Sequence, residues 1–181
     1  GPVRDGDYDS VGTLVCDEDE IVEKQVVSGI AYAKDEAKVT LFGIDDKPGV
    51  AAAIYGPLAE ANINVDMIVQ NVSEDGRTTA MTYTVPAVDL PRSLEVIKAA
   101  KDEIGYKEVK SATDVVKVSV IGIGMRSHAG VASQMFKALS DKGINIHAIS
   151  TSEIKISVLI DAAYAELAVR TLHALYELGK D

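Results

Sequence analysis

The chain has 181 residues, 47% of them hydrophobic, and a formal net charge of -10, enough for two small domains or one of average size, each with its own core. The acidic balance excludes a nucleic-acid surface, which needs clustered Lys and Arg to displace phosphate counterions; with no Trp and two Phe there is also no basic-aromatic strand to stack RNA bases. No apolar run approaches the ~18 residues of a membrane span and no secretory signal opens the chain, so a cytoplasmic location is expected. Cys16 stands alone and the histidines are His128, His147 and His173, which leaves neither a disulfide framework nor a zinc cluster.

In chain order, residues 1–25 read as a linker or N-terminal arm. Gly1-Pro2 is expected to be a scar of protease cleavage, Gly12-Thr13-Leu14-Val15 a short strand belonging to something upstream, and Asp17-Glu18-Asp19-Glu20 a solvated acidic run. Residues 26–33 read as a strand, turned at Lys34-Asp35-Glu36 into a second strand over 37–44 rich in β-branched residues. Asp45-Asp46-Lys47-Pro48-Gly49 punctuates a strand-to-helix transition, and the spacing of Ile54 and Leu58 predicts a helix over 50–61. Strands over 63–71 and 78–85 flank the Asp75-Gly76 turn signal, a helix spans 90–104, and a weak strand closes the unit over 106–111.

The order then restarts. Residues 115–123 read as a strand, 131–142 as a helix stopped by Gly143, 144–152 and 154–160 as a strand pair, and 163–178 as a helix. Strand, helix, strand, strand, helix, strand is the split βαβ order of a ferredoxin-like unit. The fold class is therefore α+β with two βαββαβ units, residues 37–112 and residues 26–33 plus 115–181. The second unit lacks a fourth strand, and the surplus strand over 26–33 is expected to complete its sheet, because a bare sheet edge is a liability.

The two units align. With Gly49 on Gly130, Val50 falls on Val131, Ala51 on Ala132, Leu58 on Leu139, Asn64 on Asn145 and Ile68 on Ile149, a constant offset of 81. The preceding loop is longer in the second copy, because Val39 and Gly43 match Val118 and Gly122 at an offset of 79. Such self-similarity points to duplication of one structural unit. A loop running into a helix start offers unpaired N–H groups and partial positive charge, which favour a carboxylate. Asp46 beside it suits an ammonium, so a ligand carrying both groups, an amino acid, fits.

The motifs Asp46-Lys47-Pro48-Gly49, Ile63-Asn64-Val65-Asp66-Met67-Ile68-Val69-Gln70-Asn71 and Ser150-Thr151-Ser152-Glu153-Ile154-Lys155-Ile156-Ser157 resemble the paired ACT domains of aspartate kinase. The likeness extends over residues 12–178, with Gly12-Thr13-Leu14-Val15 similar to the segment joining the kinase domain to the regulatory one. The resemblance implies an amino-acid sensor in which threonine or lysine, bound between ACT units, inhibits the kinase and so the biosynthesis of the aspartate family of amino acids. It implies homodimerisation through the ACT units and association with an aspartate kinase catalytic domain or alpha subunit. ATP would bind only in that kinase domain, and this chain would need no cofactor of its own. Carried over by motif, the implied effector contacts are Asp46, Gly49, Ala51, Asn64, Val65 and Gln70 in the first unit, with Val131, Ala132, Asn145, Ile146, Ser152 and Glu153 in the second. Ser127-His128-Ala129-Gly130 replaces the acid-Lys-Pro-Gly pattern, so the two sites are not expected to be equivalent.

Each signal has a plainer reading. Asp-Lys-Pro-Gly by itself is a common turn, and Gln70-Asn71 can be polar positions at a strand end, although their side chains both donate and accept as a zwitterion requires. Ser150-Thr151-Ser152-Glu153 has no histidine in triad order, Asp45-Asp46 lacks further acids for magnesium, and no GxxxxGK[ST] loop is present. No catalytic residue and no metal ligand is assigned. The competing reading is a tandem interaction module that dimerises without binding an effector; an enzyme acting alone is a third.

Overall fold

Strand β1 (Val27–Asp45) runs for 19 residues through the middle of a six-stranded sheet. The computed structural model describes residues 27–177, the Arg126 side chain apart. The N-terminal arm with Cys16, and residue 178 of the expected 163–178 helix, lie outside the described residues. After β1 come α1 (Val50–Glu60), β2 (Ile68–Val72), β3 (Thr78–Pro86), α2 (Leu90–Ala99), the single turn α3 (Lys101–Ile104) and β4 (Glu108–Gly122). The chain ends with α4 (Ala129–Asp141), β5 (Ala148–Thr151), β6 (Lys155–Asp161) and α5 (Ala165–Leu175).

The strand order is β2-β3-β1-β4-β6-β5, antiparallel throughout. The central pair is split between two neighbourhoods. The C-terminal half of β1 pairs with β3 from Glu36↔Pro86 to Asp45↔Thr78 and with the start of β4 from Lys38↔Ala112 to Phe42↔Glu108. The N-terminal half pairs with the far end of β4, from Val27↔Gly122 to Ala33↔Lys117, and β4 there pairs with β6 on its other side. Within the described residues, 27–33 of the expected 26–33 strand thus lie beside the expected 115–123 strand.

Lys34-Asp35-Glu36 does not turn the chain, and β4 is not two strands. Lys34-Asp35-Glu36 has no Gly or Pro, and Asp35 is its one turn-favouring residue; pairing with β4 keeps the chain extended, with register shifts between Ala33 and Glu36 and between Glu36 and Lys38. These irregularities re-aim the side chains as bulges do. Further down β1 the register shifts again between Leu41 and Ile44, where Gly43 holds φ +71° and a Cβ would meet Lys107 side-chain carbons at 3.0 Å, so only glycine fits.

Alternation along the strands sets two cores. Val39, Leu41, Met81, Tyr83 and Val85 face α1 and α2 and bury Ile54, Leu58 and Ile97. Val118, Val120, Ile156 and Val158 pack with Met135, Leu139, Ala168 and Leu172 of α4 and α5. The expected helix over 90–104 is interrupted at Ala100, and regular pairing of the expected 63–71 strand begins only at Ile68. Before that point the chain is tied to β3 at Thr84: Asp66 N–H donates to the Thr84 carbonyl, Met67 N–H to Thr84 Oγ1 and Thr84 N–H to the Met67 carbonyl, each at 3.0 Å.

Buried polar groups in the first core are mostly paired. Tyr83 OH and Ser93 Oγ share a hydrogen bond of 2.8 Å, and Tyr55 meets Tyr83 edge-on at 6.0 Å between ring centroids. Burial pushes the Tyr83 hydroxyl up to about 12, partly offset by the Ser93 bond. Glu36, at the irregularity of β1, has one carboxylate oxygen buried without a partner among the described residues. Its pKa is raised by burial, against the pull of Lys117 and with a push from Asp66 and Asp35.

Leu58→Ala removes a fully buried side chain and is expected to cost about 2–5 kcal/mol in urea unfolding, whereas Ile68→Ala, half-exposed on β2, should change stability by less than about 1 kcal/mol. For Glu36, a raised folded-state pKa means that the folded protein binds the proton more tightly, so stability falls as pH rises through that pKa. Glu36→Gln should therefore raise the unfolding midpoint at pH 7, and the gain should shrink towards pH 4; a constant difference across that range would rule out this origin.

Candidate functional site

The first helix start is built by backbone geometry. Gly49 is the N-cap of α1 at φ +93° and gives no side-chain cap, no acid occupies the first turn, and Ala53 N–H closes that turn on the Gly49 carbonyl at 3.0 Å. The N–H groups of Val50 and Ala51 precede that bond and have no intrahelical partner. Asp46 N–H donates to the Arg77 carbonyl at 3.0 Å, which holds the loop against the hairpin. Across from the helix start, Gln70 on β2 pairs with Met81 on β3.

These elements enclose a cavity of about 380 Å³ lined by residues 46–51, Gln70 and Met81. Four of the residues named from sequence, Asp46, Gly49, Ala51 and Gln70, meet here. The wall combines a carboxylate, an ammonium on Lys47, an uncapped helix start and a side-chain amide, which together can hold both ends of a zwitterion.

Asn64 and Val65 lie elsewhere. They line a neighbouring cavity of about 320 Å³ with Tyr55, Ala59, Asn62, Ile63 and Ile68. The Tyr55 hydroxyl is buried without a partner among the described residues, and burial raises its pKa strongly, with Tyr83 adding to the shift. Sequence reading did not single out Tyr55. Its one signal is its place on α1 next to Ile54, where a polar tip interrupts an otherwise apolar helix.

The second unit is arranged differently. Met125, on the inserted part of its loop, is buried in the core, and its N–H donates to the Glu153 carbonyl at 2.8 Å. Val131 is fully buried, its N–H bonded to the His128 carbonyl at 3.1 Å and its carbonyl accepting from Tyr176 OH at 2.8 Å. Ala132 packs on the same core, Ile146 is partly buried against it, and Asn145 is exposed. Ser152 Oγ accepts from the N–H groups of Ile154 and Lys155 at 3.3 and 3.2 Å, so it shapes the β5–β6 turn. Glu153 lines a cavity of about 510 Å³ with Ile123, Gly124, Ser127 and Ile154, in which Ile123 and Ile154 are 79% and 61% exposed.

A larger cavity of about 680 Å³ lies between β1 and α5, with Tyr32, Lys34, Glu166, Arg170 and His173 on its walls. None of the effector contacts named from sequence lines it.

Gly49→Ala tests the helix start. Nothing lies within 4 Å of a Cβ placed there, so the cost is the left-handed backbone alone, about 1–2 kcal/mol by chemical denaturation. A neutral result would mean that the turn relaxes to another conformation.

Comparison with known proteins fits this geometry. ACT-domain family profiles match residues 38–102 and 118–176. An aspartokinase of Pseudomonas aeruginosa is 53% identical over 169 residues, which is 92% of this chain and 41% of that one; the chain thus spans about two fifths of the length of the curated relatives it matches. Among solved structures, a chain of the crystal structure of aspartokinase alpha and beta subunits is 49% identical with a TM-score of 0.78, the match covering 84% of this chain and 99% of that one. The ligand-free regulatory subunit of aspartate kinase from Thermus thermophilus is 41% identical at the same TM-score, with 82% and 97% covered. With two ACT domains on the fold of that regulatory subunit, this chain belongs to the regulatory region of the aspartate kinase family.

Proposed function

We propose that this chain is the amino-acid-sensing part of an aspartate kinase, binding threonine, lysine or both to exert feedback inhibition. The observation that carries this reading is the convergence of Asp46, Gly49, Ala51 and Gln70, drawn from a loop, a helix start and a strand, on one cavity of about 380 Å³. A cavity of that size falls in the range that holds small ligands. In this reading the α1 start receives the carboxylate, Asp46 the ammonium, and Gln70 a polar side-chain group. Asn64 and Val65 extend the contact along the segment leading into β2.

The second unit of a partner copy completes the site. Asn145, Ile146, Ser152 and Glu153 contribute the rim of that unit, with Val131 and Ala132 supporting its helix start. Support for a homodimer comes from the sheet edges: β2 and β5 end the strand order, and Ile68 and Val72 on β2 are 51% and 55% exposed. Open apolar edges of this kind are normally covered. The kinase alpha subunit or catalytic domain is the other partner, and ATP binds there; this chain works without a cofactor in the cytoplasm. The same apolar edges also suit a tandem interaction module that takes no effector.

Thermal melts separate the two readings. Threonine or lysine at about 100 times its Kd should stabilise the fold by roughly 2.7 kcal/mol, and Gln70→Ala should weaken that binding while leaving the unliganded melting temperature close to wild type. No shift with either amino acid at millimolar concentration would favour the interaction module.

A further inference from the structure

The segment from Asn64 to Gln70 faces two ways. Asn64, Val65 and Gln70 line the two cavities of the first unit. Asp66 and Met67, between them, turn to the second unit. Met67 is 2% exposed in a buried cluster whose other members, Val115, Ala148 and Leu159, belong to β4, β5 and β6. Leu159 alternates with Val158 and Ile160 of the α4–α5 core, so this cluster lies on the helix-free face of the second unit's strands. Asp66 makes an ion pair with Lys117 of β4, whose side chain is only 16% exposed against 43% for Asp66. Lys117 also acts electrostatically on Glu36, at the irregularity of β1.

The repeat adds a second observation. Asn64 matches Asn145, so Met67 occupies the position of Ala148 in the other copy. Equivalent positions of the two units therefore meet in the same cluster, and the strand segments that carry the proposed contacts of each unit touch behind their sites.

We infer that Asp66 and Met67, held by Lys117 and the Val115-Ala148-Leu159 cluster, are positioning residues for the effector segment, so that the second unit of the same chain sets the geometry of the first unit's site. This rests on the effector reading of that segment. From Ile68 on, the segment is held by pairing with β3; before Ile68 it lacks regular strand pairing, and besides the packing of Val65 on the first core its ties to β3 are the bonds of Asp66 and Met67 with Thr84. A partly exposed ion pair adds little to overall stability. Its effect is local, on where Asn64 and Val65, which lie before the regular pairing of β2, stand.

The test compares Lys117→Met, Lys117→Arg and Asp66→Asn with wild type, using threonine and lysine titrations by calorimetry and amide hydrogen exchange of the free protein. Lys117→Met should weaken amino-acid binding about fivefold, the equivalent of a pair worth about 1 kcal/mol. It should also speed exchange at the Met67 amide while leaving the amides of Val39 and Val118 unchanged, and Lys117→Arg should restore both. Wild-type affinity together with wild-type exchange at Met67 in Lys117→Met would overturn the inference. If wild type bound neither amino acid, the effector reading would fall, and the Met67 exchange arm would still decide whether Lys117 positions the segment. Should Lys117→Met not fold, Asp66→Asn carries the same comparison.

Discussion

The structure depends on the antiparallel ladder between β1 and β4. Each strand is long enough to serve two cores, and the halves are used crosswise: the end of β1 with the start of β4 in the first unit, the start of β1 with the end of β4 in the second. Among the described residues, 27–33 of β1 pair only with β4, and 108–112 of β4 pair only with β1. Sharing the pair joins the units covalently and through the sheet. The irregularities near Glu36 let one strand change its orientation between cores without breaking the ladder.

That arrangement explains why duplicated sequences yield unequal sites. In the first unit, Asp46-Lys47-Pro48-Gly49 forms an open rim and the α1 start borders a cavity. In the second, the longer loop places Met125 in the core and ties its backbone to Glu153, and the cavity beside it is lined by Ile123, Gly124, Ser127, Glu153 and Ile154 rather than by the helix start. The two-residue difference in loop length thus goes with a different lining.

Much of this was legible from the residues. The repeat predicted both ferredoxin-like units, and the spacing of Ile54 and Leu58 marked the face of α1 that is buried in the first core. Asp46, Gly49, Ala51 and Gln70 were named together through the resemblance to paired ACT domains, and the structure places all four on the wall of one cavity. What stayed hidden was non-local. Lys34-Asp35-Glu36 reads as a turn when only its polarity is considered; pairing with β4, distant in sequence, keeps it extended. The separation of Asn64 and Val65 into another cavity, the burial of Val131, and the meeting of Met67 with Ala148 all depend on how the units pack, which periodicity within one strand does not reveal.

The central claim is that an amino acid sits between the α1 start and β2. Backbone NMR of the isotopically labelled protein, titrated with threonine and then with lysine, tests it most directly. The account predicts that the largest shift changes for at least one of them fall on the amides of Gly49, Val50, Ala51 and Gln70. Saturable changes confined to the β1–α5 cavity around Lys34 and Arg170 would contradict it.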